Sequence, residues 1–296
     1  MASIPAAAAR MDGKRVVLTG ASSGIGAVLA IALGRAGAEM LLVGRDPRRT
    51  ESIERRVTEA GGRARSYTTD LADSTSTRDL AETLRTENSR IDVLINNAGA
   101  IHHAFATTPS NDERTFGLNV LAPFLLSETL LPSLAASGAG RVVNVSSSVH
   151  GMGVIDFEDL DRRKHYSGWA AYAQSKLALL LLTYEAARRH ADRPVTFNAC
   201  HPGFVRSRFG DEGSTGLRGA LFGAGKRIAS ISPERGAKTP LYLATAPEVA
   251  HTSGAYYVRC RPHRSSAASL DVGVAQRLWK VCERRSGLAE LPASAD

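Results

Sequence analysis

The chain has 296 residues, of which 43% are hydrophobic and 22% charged, a balance that excludes a disordered, collagen-like or rod-like protein and suits a soluble globular one. Lys and Arg number 37 against 29 Asp and Glu, giving +8 with no basic run, so a nucleic-acid arm is not expected and a phosphate-bearing ligand is the simpler partner for the excess. Cys200, Cys260 and Cys282 form no CxxC pair, residues 1–10 lack the basic start of a signal peptide, and no stretch reaches ~18 apolar residues; a metal site, a disulfide framework and a membrane span are not expected, and a cytoplasmic location is.

Lys14–Thr19 is a short β-branched run ending at Gly20, and Ile25–Ala36 then places Ile25, Leu29, Ala32 and Leu33 at helical spacing. Glu39–Val43 predicts a strand, Arg48–Ala60 a polar helix, Arg65–Thr69 a weak strand and Ser74–Asn88 an amphipathic helix. Ile91–Asn96 is a third clear strand, Asn119–Ala135 a leucine-rich helix and Arg141–Val145 a buried strand. Trp169–Arg189 predicts a long helix, Val195–Ala199 a strand, Pro233–Ala246 a short helix and Ala255–Val258 the last strand, before a helix around Val274–Arg285. Strands alternating with helices of this length indicate βαβ units, hence an α/β, doubly wound parallel sheet with helices on both faces. The runs VVL, LLV, VLI and VVNV are nearly continuous in apolar residues, as strands covered on both sides should be. One domain, 1–296, is expected, with a core of about 14–260. Two segments exceed a minimal sheet: the link at 151–168, and a glycine-rich stretch at about 204–232. In the latter, Leu217, Leu221 and Phe222 suit an apolar lid, or equally an oligomer contact or a packed helix.

The chemistry-bearing residues fall where strands end. Gly20-Ala-Ser-Ser-Gly24-Ile-Gly26 joins the first strand to the first helix. Glycines allow a tight turn and close approach by a pyrophosphate, and the free N–H groups of the helix start attract an anion. The second strand ends Val43-Gly44-Arg45-Asp46. A guanidinium there can hold a 2′-phosphate by charge and paired hydrogen bonds, which predicts NADP over NAD. The competing reading puts Asp46 on the ribose and leaves Arg45 on the surface. Tyr172 and Lys176 stand four apart on one helical face, and a nearby cation favours a phenolate, so Tyr172 could move a proton to or from an alcohol oxygen. A solvated Lys beside a half-buried Tyr is the bland alternative. Ser146, Ser147 and Ser148 follow a buried strand at the edge where parallel sheets bind ligands. Asn96, Asn97 and Gly99 end another strand, Asn119 begins a helix, and His201-Pro202-Gly203 follows a third.

TGASSGIG at 19–26, Asp70-Leu71, NNAG at 96–99, Asn119, the serine triplet, YxxxK and HPG occur in the order of the short-chain dehydrogenase/reductase family, which the sequence resembles over about residues 14–260. The resemblance implies a Rossmann-type sheet of seven parallel strands in the order 3-2-1-4-5-6-7. RVVNVSSSVHG, the insert with FEDLD, the YAQSKLALLL helix, HPGFVRS and AQRLWKVCE are similar to the retinol-dehydrogenase-like branch. Unlike many membrane-bound members of that branch, the chain has no anchor-helix pattern at its start. The family's roles, carried over by motif, make Tyr172 the general acid/base. Lys176 becomes the residue that binds the nicotinamide ribose and depresses the Tyr172 pKa. Asn119 becomes the support of a water relay to Lys176. The family pattern S-x-x-[GH] gives Ser147 when counted back from His150 and Ser148 from Gly151; the following Gly-Met-Gly favours Ser147. Gly20, Ser22, Ser23, Gly24, Ile25 and Gly26 would line the pyrophosphate, Asp70 and Leu71 flank the adenine, and Asn97 and Gly99 lie near a ribose. Pro202, Gly203, Val205 and Ser207 would contact the nicotinamide end. The implied function is hydride exchange with a small-molecule alcohol or carbonyl, in a homodimer or homotetramer. A non-catalytic NADP-binding sensor on the same fold is the competing function, against which the intact Ser, Tyr, Lys and Asn set speaks. His102-His103 would border the substrate pocket, and Arg259, Arg261, His263 and Arg264 read as a solvated face.

Overall fold

Val16, Val17 and Leu18 are all fully buried although successive side chains point to opposite faces of a strand. Apolar residues on both faces require cover on both faces, and the computed structural model, which describes residues 10–203 and 231–288, provides it. β1 (Arg15–Thr19) lies between β2 (Glu39–Gly44) and β4 (Val93–Asn96), with β3 (Arg63–Thr68) outside β2. β5 (Gly140–Val145), β6 (Val195–His201) and β7 (Ala255–Val258) extend the other side, all parallel, in the expected order 3-2-1-4-5-6-7.

The sheet has an eighth strand, where seven were expected. β8 (Arg261–Pro262) pairs antiparallel with β7 through Tyr257 opposite Pro262 and Val258 opposite Arg261. The reversal is made by Arg259 and Cys260, whose φ angles of 51° and 61° are those of a type I′ hairpin turn. That turn normally announces itself by Asn or Gly, and neither is present. Pro262, which has no N–H to give, is tolerated because β8 is an edge.

One face of the sheet carries α1 (Gly24–Arg35), α2 (Pro47–Glu59) and α8 (Pro233–Thr245), packed on Val16, Leu18, Met40, Leu42, Ile95 and Val143. The other carries α3 (Ser74–Glu87), α5 (Ala122–Thr129), α7 (Gly168–Arg189) and α9 (Val272–Ser286), packed on Val17, Leu41, Leu94, Val142 and Phe197. The helix expected over Asn119–Ala135 begins earlier and is segmented. The Glu113 carboxylate accepts from the N–H groups of Thr115 and Phe116 and starts the short α4 (Arg114–Phe116). A π-turn, Gly117–Leu121, leads into α5, and Pro132 in the first turn of α6 (Leu131–Ala135) restarts the helix. α9 lies against α7: Trp279, 2% exposed, meets Phe124 edge-on at 4.9 Å. Arg285 at its end reaches Asp112 and Asp161, each at 2.7 Å. Val205, Ser207, Leu217, Leu221 and Phe222 lie outside the described residues. No helix among the described residues is long and apolar enough to cross a membrane.

Candidate active site

The C-terminal ends of β1, β4, β5 and β6 are neighbours in the sheet, so the polar segments that follow them meet along one edge. The glycine turn is the first of these. Gly20 has φ +67° and Gly24 +54°, conformations that favour glycine. A Cβ on Gly26 would stand 2.1 Å from the Gly20 carbonyl oxygen, so the turn closes on itself with room for no side chain. Helices α2, α3, α7, α8 and α9 each have an N-cap side chain accepting a backbone N–H, from Asp46, Asp73, Ser167, Ser232 and Asp271. At α1 the N-cap residue Ser23 makes no such bond, so the first N–H groups of that helix have no capping side chain from it. Asn97 fixes the turn from β4: its Nδ2 donates to the carbonyls of Thr19 at 3.0 Å and Gly20 at 3.2 Å. Thr19 Oγ1 in return accepts from the N–H groups of Asn97 and Ala98, both at 3.0 Å.

Asn119 sits in the π-turn, wholly buried. Its Oδ1 accepts from Ala100 N and its Nδ2 donates to Ala100 O, so it clamps the segment after NNAG. The same Nδ2 reaches Ser175 Oγ at 2.9 Å, and Ser175 donates to the Tyr172 carbonyl at 2.8 Å. Ser175 was not singled out from the sequence, although its place between Tyr172 and Lys176 was the available signal. A Cβ on Gly99 would stand 3.2 Å from Asn119 Oδ1 and 3.3 Å from Lys176 Nζ, which puts that glycine between the two.

Tyr172 and Lys176 project from α7 toward β5. Tyr172 is 7% exposed and its phenol is hydrogen-bonded by the Ser147 side chain. Burial pushes the phenol above its ordinary pKa and the Ser147 bond opposes this only in part. The sequence-based expectation was the opposite, an ammonium lowering the phenol. Desolvation wins because α7 is covered along this stretch, and Lys176 is buried with it: burial brings the ammonium down from 10.5 to about 8. Among the described residues Nζ has one hydrogen-bond acceptor, the Val145 carbonyl at 3.0 Å, and it lies 5.6 Å from the Tyr172 ring centre. Ser146 is buried and donates to the Lys176 carbonyl, whereas Ser148 is exposed and its N–H donates to His201 Nδ1. Of the three serines, Ser147 is the one placed against the phenol.

At the end of β2, Arg45 is exposed beside Asp46. Asp46 is engaged twice, accepting the Arg49 N–H as cap of α2 and pairing with Arg49 Nε at 3.2 Å. Asp70 pairs with Arg114 at 2.9 Å, and the Leu71 side chain belongs to the core. Pro202 and Gly203 follow β6, Gly203 with φ +93°. His102 is half-buried, its ring 3.3 Å from Thr115 Oγ1, and His103 is exposed. Arg259, Arg261, His263 and Arg264 are exposed along and after the β7–β8 hairpin. Among the described residues no group of His, Cys, Asp and Glu gathers as metal ligands would.

The profile of the short chain dehydrogenase family matches residues 14–216, and the chain belongs to that family, in its retinol-dehydrogenase-like branch. It is 38% identical over 289 residues to human retinol dehydrogenase 13, covering 95% of this chain and 86% of that protein. Mouse retinol dehydrogenase 14 is 37% identical over 291 residues, covering 94% and 87%. Among solved structures, a 3-oxoacyl (acyl-carrier-protein) reductase from Agrobacterium tumefaciens C58 with NADP bound superposes with a TM-score of 0.67 at 27% identity, covering 83% of this chain and 92% of that one. The family makes this protein a nicotinamide-dependent oxidoreductase of alcohol or carbonyl groups. Its own residues fit such a cofactor. The glycine turn is closed with no room for a side chain at Gly26, the first N–H groups of α1 have no side-chain cap from Ser23, and a buried ammonium with one acceptor among the described residues stands at the end of β5 on the same edge.

Proposed function

We propose that the chain is an NADP-dependent oxidoreductase of a lipophilic alcohol or carbonyl compound, with Tyr172 as general acid/base. The reading rests above all on the Ser147 hydroxyl bonded to a buried Tyr172 phenol with the Lys176 ammonium one turn further along α7. Gly20, Ser22, Ser23, Gly24, Ile25 and Gly26 would hold the pyrophosphate and Asp70 and Leu71 the adenine. Asn97, Gly99 and Lys176 would take a ribose, and Pro202, Gly203, Val205 and Ser207 the nicotinamide end. When bound, the dinucleotide donates or accepts a hydride.

The chain's own residues then handle the proton. In reduction Tyr172 gives its phenolic proton to the carbonyl oxygen, and in oxidation it takes the hydroxyl proton back. Ser147 offers a hydrogen bond to the same oxygen, where negative charge develops. Lys176 stabilises the phenolate left behind, and Asn119, through its hold on Ala100 and Ser175, supports a water path toward Lys176. The preference for NADP over NAD is supported by the guanidinium of Arg45 at the end of β2, whose chemistry suits a 2′-phosphate, and by Asp46 being engaged by α2 and Arg49. A lipophilic substrate is supported by exposed apolar side chains: Trp169, its ring 6.2 Å from that of Tyr172 on the same helix, and Met152 and Val154 on the 151–168 link. The reading carries with it a cytoplasmic homodimer or homotetramer.

The test is Tyr172→Phe, assayed by NADPH absorbance against a panel including retinaldehyde, aliphatic ketones and polyketide-like ketones. Dinucleotide binding should persist while turnover falls at least about a hundredfold. Near-normal turnover would reject Tyr172, and equal or better efficiency with NADH would reject the cofactor assignment.

A further inference from the structure

The Ser147 main chain is held from both sides by groups that no part of the proposed chemistry uses. Its carbonyl accepts twice from His150, from the backbone N–H at 3.2 Å and from ring Nδ1 at 2.7 Å. The other ring nitrogen, Nε2, accepts the backbone N–H of Ser266 at 3.1 Å. A main-chain N–H can only donate, so Nε2 carries no proton and Nδ1 carries the one it gives to Ser147. The tautomer is thus set by the segment beyond the sheet. His150 is 5% exposed and stands edge-on to Tyr256 at 5.1 Å, so the ring has little freedom to turn away.

Ser266 is itself tied to the catalytic helix. Tyr184, on α7 beyond Tyr172, donates to Ser265 Oγ at 2.8 Å. Ser265 and Ser269 share a hydroxyl–hydroxyl bond of 2.7 Å, and Ser269 Oγ donates its proton to the Ser266 carbonyl at 2.6 Å. One short segment therefore holds both α7, which carries Tyr172, and the loop that carries Ser147. β5 and α7 already meet just before Ser147, where Lys176 Nζ donates to the Val145 carbonyl and Ser146 Oγ to the Lys176 carbonyl; the segment adds a second tie just after Ser147, through His150.

We propose that His150 is the positioning residue of Ser147, locked by the Ser266 N–H into the tautomer that anchors the serine's carbonyl, so that the segment Ser265–Ser269 sets the geometry between Ser147 and Tyr172. This rests on Ser147 acting on the reacting oxygen. Misplacement of a reacting group by about 1 Å can lower a rate up to a hundredfold. The expected signature is a fall in kcat with dinucleotide affinity unchanged.

The experiment compares His150→Ala, His150→Asn, Ser266→Pro and Ser147→Ala, with kcat, NADPH Kd and Tm measured for each. In His150→Asn the amide Nδ2 takes the place of ring Nδ1 and can still donate to Ser147, so it should retain kcat within about threefold, while His150→Ala should lose about tenfold or more. Ser266 already has φ −63°, so proline fits its backbone; it deletes the N–H together with a buried hydroxyl that makes no hydrogen bond, and kcat should fall in the same direction as for His150→Ala. If His150→Ala and His150→Asn fall equally, the ring serves packing against Tyr256 and the proposal is overturned. It is also overturned if His150→Ala keeps full kcat while Ser147→Ala is inactive. Full activity in Ser147→Ala would instead overturn the role of Ser147 itself.

Discussion

Lys176→Met should make the protein inactive and more stable. The lysine is 4% exposed, no carboxylate among the described residues faces it, and burial pulls its pKa from 10.5 to about 8. A group whose folded pKa lies below its unfolded value binds its proton less tightly when folded. The wild type therefore bears the whole penalty below about pH 8 and sheds it as pH rises from about 8 to 10.5. A displacement of that size is worth about 3 kcal/mol at about 1.4 kcal/mol per unit. Methionine fills the same volume without the charge, but it forfeits the bond to the Val145 carbonyl, worth about 1.5 kcal/mol. The net gain near neutral pH is then about 1–2 kcal/mol. Urea unfolding of both proteins at about pH 7 and about pH 10 measures it, and the gap should close at the higher pH because only the wild type changes there. A variant less stable than wild type at neutral pH, or a gap that does not move with pH, would refute the reasoning. It would mean that the ammonium is better satisfied than its surroundings indicate.

Gly26→Ala should raise the NADPH Kd at least about tenfold in a fluorescence titration, since its Cβ would stand 2.1 Å from the Gly20 oxygen and must open the turn; an unchanged Kd would detach the glycine turn from the dinucleotide. Trp279→Ala should lower stability by about 3–5 kcal/mol in urea, through the lost packing on Phe124 and α7; a loss under about 1 kcal/mol would show that α9 is not part of the cooperative core. Arg285→Met leaves Asp112 and Asp161 facing each other without their shared cation, at about 3 kcal/mol. That loss should shrink in acid, where Asp112, whose pKa burial already raises, takes up a proton; a loss independent of pH would place its origin in packing over Phe116 instead.

What could be read from the sequence was whatever depends on one strand or one helix at a time. β1 through β7 announce themselves because both faces of each central strand are buried, and their ends carry glycine, asparagine, serine and His-Pro-Gly where the sheet needs polar turns. β8 was missed because its turn uses Arg259 and Cys260 in a conformation that Asn and Gly usually take. The π-turn around Asn119 was missed because its cause is distant: a Cβ on Gly117 would stand 2.2 Å from the Ala72 carbonyl, a contact no local pattern reveals. The sign of the Tyr172 shift was missed for the same reason. Four-residue spacing predicts a phenol near an ammonium, but how much water each loses depends on β5, the Ser148–Met152 turn and the π-turn, all packed against α7 from elsewhere in the chain.

The elements outside the sheet show a division of labour. Gln174, two residues from Tyr172, donates to the Leu160 carbonyl at 2.7 Å and accepts from Asp156 N, which fastens the 151–168 link to the catalytic helix. Tyr166 in that link sets its hydroxyl between two acceptors, the His102 carbonyl at 2.8 Å and Glu113 Oε1 at 2.9 Å, which share its one proton. Glu113 in turn starts α4 and so sets the approach to Asn119, while Arg285 from α9 joins the same wall through Asp112 and Asp161. The residues proposed to handle the proton therefore sit where β5 meets α7. The stretch around Glu113, the 151–168 link and α9 are linked to one another by side-chain bonds, and on the proposed reading they border the substrate. Altering Met152, Val154 or Trp169 should consequently move substrate preference with little effect on the Ser147–Tyr172 geometry, because none of the three contributes a bond to the network that holds it.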